Sequence, residues 1–265
     1  KMYINNNNNS IEFSSTSKCG IIKWCYQRLK HQLSYIDDLY HSHQGGYIFT
    51  HIQWIFNHQH HIIACITSTV NGLICIYNEQ FELLINSRFS QNKHEITCLS
   101  YQWMGIKKTQ LMIIIGTSQG KLLRFIINNL KKPKLKLLDD VLVQDKSIIT
   151  SLITACNNGH HVIAICSTNM NTIYTVAFND SSSNSQAMVN IYMQAPLFPL
   201  ESNKINQCQY HYKAQLCANV SNNGSLCLWS IKTHPATCLY KYHIKNEQAI
   251  SLCFYKHLIA VGYHT

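Results

Sequence analysis

LCANVSNNGSLCLW, residues 216–229, places two short apolar segments on either side of a polar turn. Two further stretches have the same pattern: TSTVNGLICIY at 67–77 and TSQGKLLRF at 117–125. Each pattern predicts a strand, a tight turn and a second strand. The turn glycines Gly72, Gly120 and Gly224 would supply the positive φ that a two-residue hairpin turn requires.

The second strand of this hairpin recurs five times along the chain. Its copies end at intervals of 53, 48, 51 and 53 residues, on Trp24, Tyr77, Phe125, Val176 and Trp229. Apolar segments also recur upstream of the hairpins. Unbroken apolar runs rich in β-branched residues, such as 111–115, suit a strand covered on both faces, whereas flanking segments such as 250–255 alternate as half-buried strands do. With a variable tail after each hairpin, the pattern predicts about four strands in each repeat.

Four short antiparallel strands in a repeat of about 40–50 residues are typical of a β-propeller blade. The residues resemble the WD40 family, most clearly at 216–229 and 111–125, and the resemblance covers nearly the whole chain. It implies an all-β propeller of four-stranded antiparallel blades. It also implies structural roles in the blades for Trp24, Gly72, Tyr77, Gly120, Phe125, Gly224 and Trp229.

The chain departs from the family pattern at several positions. Trp229 is followed by Ser230 and Trp24 by Cys25, so the Trp-Asp ending is absent, and no clean Gly-His pair opens a blade. Asn171 stands where the fourth copy would have glycine, and the first copy is one residue short. These departures concern the buried hydrogen bonds of the family rather than its strand pattern.

The repeat predicts one propeller domain over residues 1–265, present as an incomplete ring of about four whole and two partial blades. The predicted blades are 1–46 (partial), 47–93, 94–146, 147–200, 201–247 and 248–265 (partial). We therefore expect a piece of a longer protein, truncated at both ends. The polar stretch 27–46 predicts a short helix or a long connecting loop, and 180–185 predicts an insertion.

The chain is basic, with 22 Lys and Arg against 12 Asp and Glu and a net charge of +10. Such a balance favours acidic partners, including nucleic acid, although a solvated loop that keeps the protein soluble is the simpler interpretation of the lysine cluster. The candidate contacts for a protein partner or a nucleic acid are Lys107, Lys108, Lys131, Lys132, Lys134 and Lys136.

The twelve cysteines are scattered without a framework of paired spacings. This usage favours a reducing nuclear or cytoplasmic compartment. Apolar runs stay short of the roughly 20 residues that span a bilayer, so membrane insertion is not expected. Most cysteines fall on strands, where we expect small buried hydrophobes: Cys65, Cys98, Cys166, Cys217, Cys227 and Cys253.

Residue patterns typical of catalysis are missing. The sequence contains no C-x-x-C, no G-x-S-x-G and no glycine-rich phosphate loop, so the histidines around 58–61 and 160–161 do not predict a metal site. The pairs Asp37–Asp38 and Asp139–Asp140 are adjacent, and adjacent side chains diverge on a strand. We therefore expect no catalytic, cofactor-binding or metal-binding residue and no enzyme activity in this segment.

Three functions fit these patterns. The first is a non-catalytic scaffold that holds other proteins in a multisubunit complex, since WD40-like propellers resemble rigid discs that dock several partners. The second is a basic propeller subunit of a transcription, chromatin or RNA-processing complex that contacts nucleic acid, similar to those of the RNA polymerase III factor known as TFIIIC. The third is a propeller of a trafficking or coat complex.

Overall fold

A computed structural model describes the strands of the chain and most of the short turns between them. The described residues are 2–5, 10–17, 20–27, 32–40, 49–57, 62–88, 95–104, 110–143, 146–157, 161–169, 172–179, 188–194, 205–211, 214–230, 232, 237–255 and 258–264. The chain divides into two compact units, residues 1–96 and 97–265.

The first unit contains two four-stranded antiparallel sheets in which consecutive strands are neighbours. The strands of the first sheet are β1 Met2–Asn5, β2 Ser10–Ser17, β3 Gly20–Gln27 and β4 Gln32–Tyr40. Those of the second sheet are β5 Phe49–Phe56, β6 Ile62–Thr69, β7 Leu73–Asn78 and β8 Leu83–Arg88.

The second unit continues the pattern with three four-stranded sheets and a two-stranded one. The third sheet has β9 Ile96–Met104, β10 Gln110–Thr117, β11 Lys121–Ile127 and β12 Lys136–Leu142. The fourth has β13 Ile149–Asn157, β14 His161–Thr168, β15 Thr172–Asn179 and β16 Met188–Gln194. The fifth has β17 Ile205–His211, β18 Leu216–Ser221, β19 Ser225–Ser230 and β20 Thr237–His243. The sixth consists of β21 Gln248–Tyr255 and β22 Leu258–His264.

The all-β class and the four antiparallel strands of a repeat are confirmed, but the first repeat differs from its prediction. Segment 1–46, predicted as a partial blade, contains four strands. Its fourth strand, β4, occupies part of the stretch predicted as a helix or loop. A register shift opposite Lys23 and Trp24 leaves Ile36 unpaired. Such a bulge interrupts the two-residue alternation by which a strand is recognised in a sequence. The predicted insertion 180–185 lies outside the described residues.

The turn glycines adopt the left-handed conformation in a loop one residue longer than predicted. Gly72, Gly120 and Gly224 have φ of 73°, 74° and 78°. Three residues separate the paired strands, and each glycine N–H bonds the carbonyl three residues earlier. A three-residue hairpin combines an ordinary turn with one left-handed residue, so only the glycine needs a positive φ. The hydroxyl of Thr69 also accepts the N–H of Leu73, at 3.1 Å.

Both edges of the sheets carry β-bulges at repeated positions. Shifts occur near the start of β5, β13, β17 and β21. The fourth strand of each four-stranded sheet skips one residue: Ile36, Leu84, Leu138, Tyr192 and Leu239. Bulges bend an edge strand and weaken its capacity to pair with another chain. The repeated bulges therefore make the exposed edge strands of these sheets less able to pair with another chain.

Apolar side chains form a core between successive sheets of the second unit. One cluster joins the third and fourth sheets, with Ile114 and Leu122 against Val162 and Val176. A second joins the fourth and fifth sheets, and a third joins the fifth sheet to β21 and β22. In the first unit, Trp54, Tyr77 and Phe81 belong to a cluster of buried side chains contributed by the second sheet and its turns.

Side-chain hydrogen bonds also join the first strands of successive sheets. The Ser151 hydroxyl of β13 accepts the backbone N–H of Cys208 in β17, at 2.9 Å. One sheet further, the Gln207 side-chain oxygen accepts the N–H of Leu252, at 2.7 Å. Ser151 and Gln207 each directly follow the bulge of their strand. The same connection therefore occurs twice, and it satisfies edge N–H groups that would otherwise need water or another chain.

Three further hydrogen bonds join these first strands. The Thr154 hydroxyl donates to the Tyr101 carbonyl at 2.9 Å and lies 2.8 Å from the hydroxyl of Ser100. The Asn206 amide donates to the carbonyl of Ala249, at 2.8 Å. The four sheets of the second unit are consequently joined by directional polar contacts as well as by apolar packing.

Candidate protein-interaction surface

The strand-terminal aromatic residues whose side chains the structure describes lie in the core. Tyr77, Phe125 and Trp229 are buried, whereas the side chain of Trp24 lies outside the described part of the chain. The indole N–H of Trp229 donates to the Asn219 side-chain oxygen on the neighbouring strand, at 2.8 Å. A buried indole N–H needs such an acceptor. Trp229 therefore packs the fifth sheet and offers no surface to a partner.

Four candidate lysines are grouped in the third sheet. Lys131, Lys132 and Lys134 lie in the loop between β11 and β12, Lys136 begins β12, and all four are exposed. The other two candidates, Lys107 and Lys108, fall outside the described residues. The third sheet therefore has a compact group of cations at the start of its outer strand.

Asp139 and Asp140 lie on the same strand but contact different cations. Arg124 donates from Nε to Oδ1 of Asp139 at 2.8 Å and from Nη2 to Oδ2. Lys121 Nζ lies 2.8 Å from Oδ2 of Asp140. Register places Asp139 opposite Arg124 and Asp140 opposite Leu123, so the two side chains point to opposite faces. This geometry does not bring the two carboxylates together as an acid–base pair.

Arg124 is the residue of this arrangement that the sequence analysis missed. Its guanidinium carbon lies 4.9 Å from the ring centroid of Phe178 on β15, so Arg124 also joins the third sheet to the fourth. A lone cation inside the apolar run 122–127 is the sequence signal that could have identified it, because a buried arginine needs a partner.

Three exposed leucines accompany the lysines on β12. Leu137, Leu138 and Leu142 have 47%, 40% and 42% of their surface accessible. Among the described strands, β12 is the terminal strand of its sheet and pairs with β11. We call the four lysines 131, 132, 134 and 136 together with these three leucines the Lys–Leu edge. It combines positive charge, apolar surface and a terminal strand within residues 131–142.

The cysteines of the described residues are mostly buried thiols. Seven are buried, whereas Cys238 and Cys253 are exposed. The prediction of a buried Cys253 is therefore wrong. Cys253 lies on β21 of the two-stranded sheet, on the face opposite the buried Leu252. The pKa of the Cys217 thiol is raised, mainly by a hydrogen bond with Cys208 and to a smaller extent by burial.

We expect stability to fall as the pH rises above about 9, because burial raises the pKa of Cys227 to about 11 and that of Cys98 to about 12. Both thiols ionise near 9 in the unfolded chain, so above that pH the unfolded state binds fewer protons than the folded state. The urea midpoint of the protein and of Cys98→Ala, measured from about pH 8 to about pH 11, should fall less steeply in the variant. Equal slopes would contradict a role for Cys98.

The histidine clusters around 58–61 and the pair at 160–161 cannot be placed as ligands, since their side chains lie outside the described residues. Within the described part of the chain, no group of three or more His, Cys, Asp or Glu is arranged to hold a metal ion. No helix among the described residues has the length and apolar character to cross a bilayer.

Comparison with known proteins relates the chain to solved structures alone. No family model matches the sequence, and the search of curated proteins finds no match. Among solved structures, 1257 chains match. One of them is the crystal structure of Chaetomium thermophilum Raptor, with a TM-score of 0.64 and 15% sequence identity. The match covers 98% of this chain and 22% of that one, so the chain spans about a fifth of the Raptor structure and has the fold of that portion.

Proposed function

We propose that the chain is a WD40-like propeller segment that acts as a non-catalytic scaffold and holds other proteins in a multisubunit intracellular complex. The observation that carries the proposal is the repeated connection between first strands, through Ser151 to Cys208 and Gln207 to Leu252. Together with the apolar clusters between sheets, it fixes the sheets of the second unit to one another. A rigid stack of sheets with exposed turns and outer strands suits the docking of proteins.

The chemistry of the described residues supports a binding role rather than a catalytic one. Asp139 and Asp140 are each engaged with a cation, and burial raises the pKa of thiols such as Cys98, which keeps them protonated and lowers the fraction of reactive thiolate. The proposal accordingly includes no catalytic residue and no cofactor.

Affinity purification of the full-length protein, in parallel with and without nuclease, tests this function. We expect a constant set of proteins in fixed proportions, resistant to nuclease and co-eluting with the protein in size-exclusion chromatography. Recovery of no protein above background would overturn the proposal. Loss of the partners after nuclease treatment would overturn it in favour of the second candidate function, a basic propeller that contacts nucleic acid. The exposure of Lys131 and the neighbouring lysines supports that second candidate.

A further inference from the structure

The net charge of the third sheet is concentrated on the Lys–Leu edge. Residues 110–143 carry six Lys and Arg and two Asp. Arg124 and Lys121 form the two ion pairs described in this sheet, with Asp139 and Asp140. Both carboxylates are thus neutralised within the sheet. The four lysines of the Lys–Leu edge add positive charge that these two ion pairs do not balance.

The apolar part of the edge lies beside this charge. Leu137 and Leu142 pair with Phe125 and Lys121, so they share one face of the sheet, and Leu138 is the unpaired residue of the bulge. Exposed leucines next to a cationic loop form a surface with two kinds of binding energy: apolar burial and charge attraction. The bulge at Leu138 interrupts the backbone edge, so side chains rather than a continuous ladder of backbone hydrogen bonds would carry the contact.

We infer that the Lys–Leu edge docks an extended acidic segment of a partner protein whose carboxylates meet the lysines and whose apolar side chains cover the leucines. The inference rests on the proposed scaffold function and names its partner chemistry. An acidic protein segment fits better than nucleic acid because leucines bury apolar side chains of a protein but do not provide the aromatic surface on which bases stack.

The test uses the purified full-length protein and a fluorescent peptide of about twelve residues, long enough at about 3.3 Å per residue to run along β12 and its preceding loop. The peptide contains glutamates and three leucines. Two control peptides replace every glutamate by glutamine or every leucine by serine. Fluorescence anisotropy gives the Kd, and a single-stranded and a duplex oligonucleotide serve as the alternative ligands.

The protein variants separate this edge from general charge. Lys131→Glu/Lys132→Glu changes the edge, and Lys232→Glu/Lys245→Glu makes the same charge change at exposed lysines beyond the edge. We expect the edge variant to bind the peptide at least tenfold more weakly and the control variant to stay within about twofold, with weaker binding as salt increases. Each control peptide should also bind at least tenfold more weakly. The lysines substituted in the two variants are all exposed, so neither variant should lose stability. Urea midpoints equal to that of the parent protein would show that both variants are folded.

Three outcomes would overturn the inference: no peptide binding, equal binding by the two variants, or binding of an oligonucleotide that the edge variant loses while the peptide does not bind. Failure of the peptide together with nuclease-resistant recovery of partner proteins would remove this inference and leave the scaffold function in place. Binding of the peptide without recovery of any partner protein would support the Lys–Leu edge as a peptide-binding surface and remove the proposed scaffold function.

Discussion

Gly224→Ala is expected to lower the free energy of unfolding by about 2–5 kcal/mol. Gly224 has a φ of 78°, where an alanine side chain costs about 1–2 kcal/mol. An added Cβ would also lie 2.6 Å from the carbonyl oxygen of Glu247 and still closer to that of Ile244. These are backbone atoms of the next turn, so relief requires the chain to move. The shift of the urea midpoint at constant m value measures the effect.

Gly262→Ala is the matched control for this prediction. Gly262 lies on β22 without a positive φ, and its added Cβ would meet the hydroxyl of Ser251, the end of a side chain that can rotate. We expect a change within about 1 kcal/mol of the parent, because alanine also reduces the entropy of the unfolded chain. Similar midpoints for the two variants would show that the conformation and contacts of Gly224 do not constrain the fold.

Asp139→Ala is expected to cost about 2–3 kcal/mol, somewhat less than the cost of breaking a fully buried pair. The side chain of Arg124 is only 10% exposed and that of Asp139 is 29% exposed. The alanine variant leaves a poorly solvated guanidinium without its carboxylate. The penalty should be measured by urea unfolding and should persist at high salt, since a buried charge is screened little.

Asp140→Ala removes the neighbouring carboxylate and is the control for that experiment. The side chains of its pair with Lys121 are 37% and 51% exposed, so a cost of about 0–1 kcal/mol is expected. Arg124→Met/Asp139→Ala removes both partners of the half-buried pair and should recover part of the lost stability. Equal costs for the two aspartate variants, or no recovery in the double variant, would contradict the role assigned to Arg124.

Local patterns predicted the strands well where the alternation or the apolar run was unbroken. The hairpins around Gly72, Gly120 and Gly224 are present with glycine in the left-handed region. The prediction was poorer where a bulge shifts the alternation, as at Ile36 in β4. It also missed the length of the hairpin loop, because two- and three-residue loops use similar polar residues and a glycine.

The candidate surface was predictable only in part. The lysines of the loop after β11 were visible as a cluster, but nothing in the sequence distinguishes the leucines of β12 from buried strand residues. Their exposure depends on the position of β12 at the edge of its sheet. Cys253 shows the same limit, since this apolar strand position is also exposed.

The sequence by itself determined the repeat, the antiparallel hairpins and the positions of the turn glycines, because these depend on residues within a few positions of one another. Only the tertiary structure decided which polar side chains join the sheets, as Ser151 does with Cys208, and that Arg124 joins Asp139 while reaching Phe178. Those partners are separated by about fifteen to sixty residues along the chain, and their contacts depend on strand register and on how one sheet packs on the next, which no local pattern of residue types specifies.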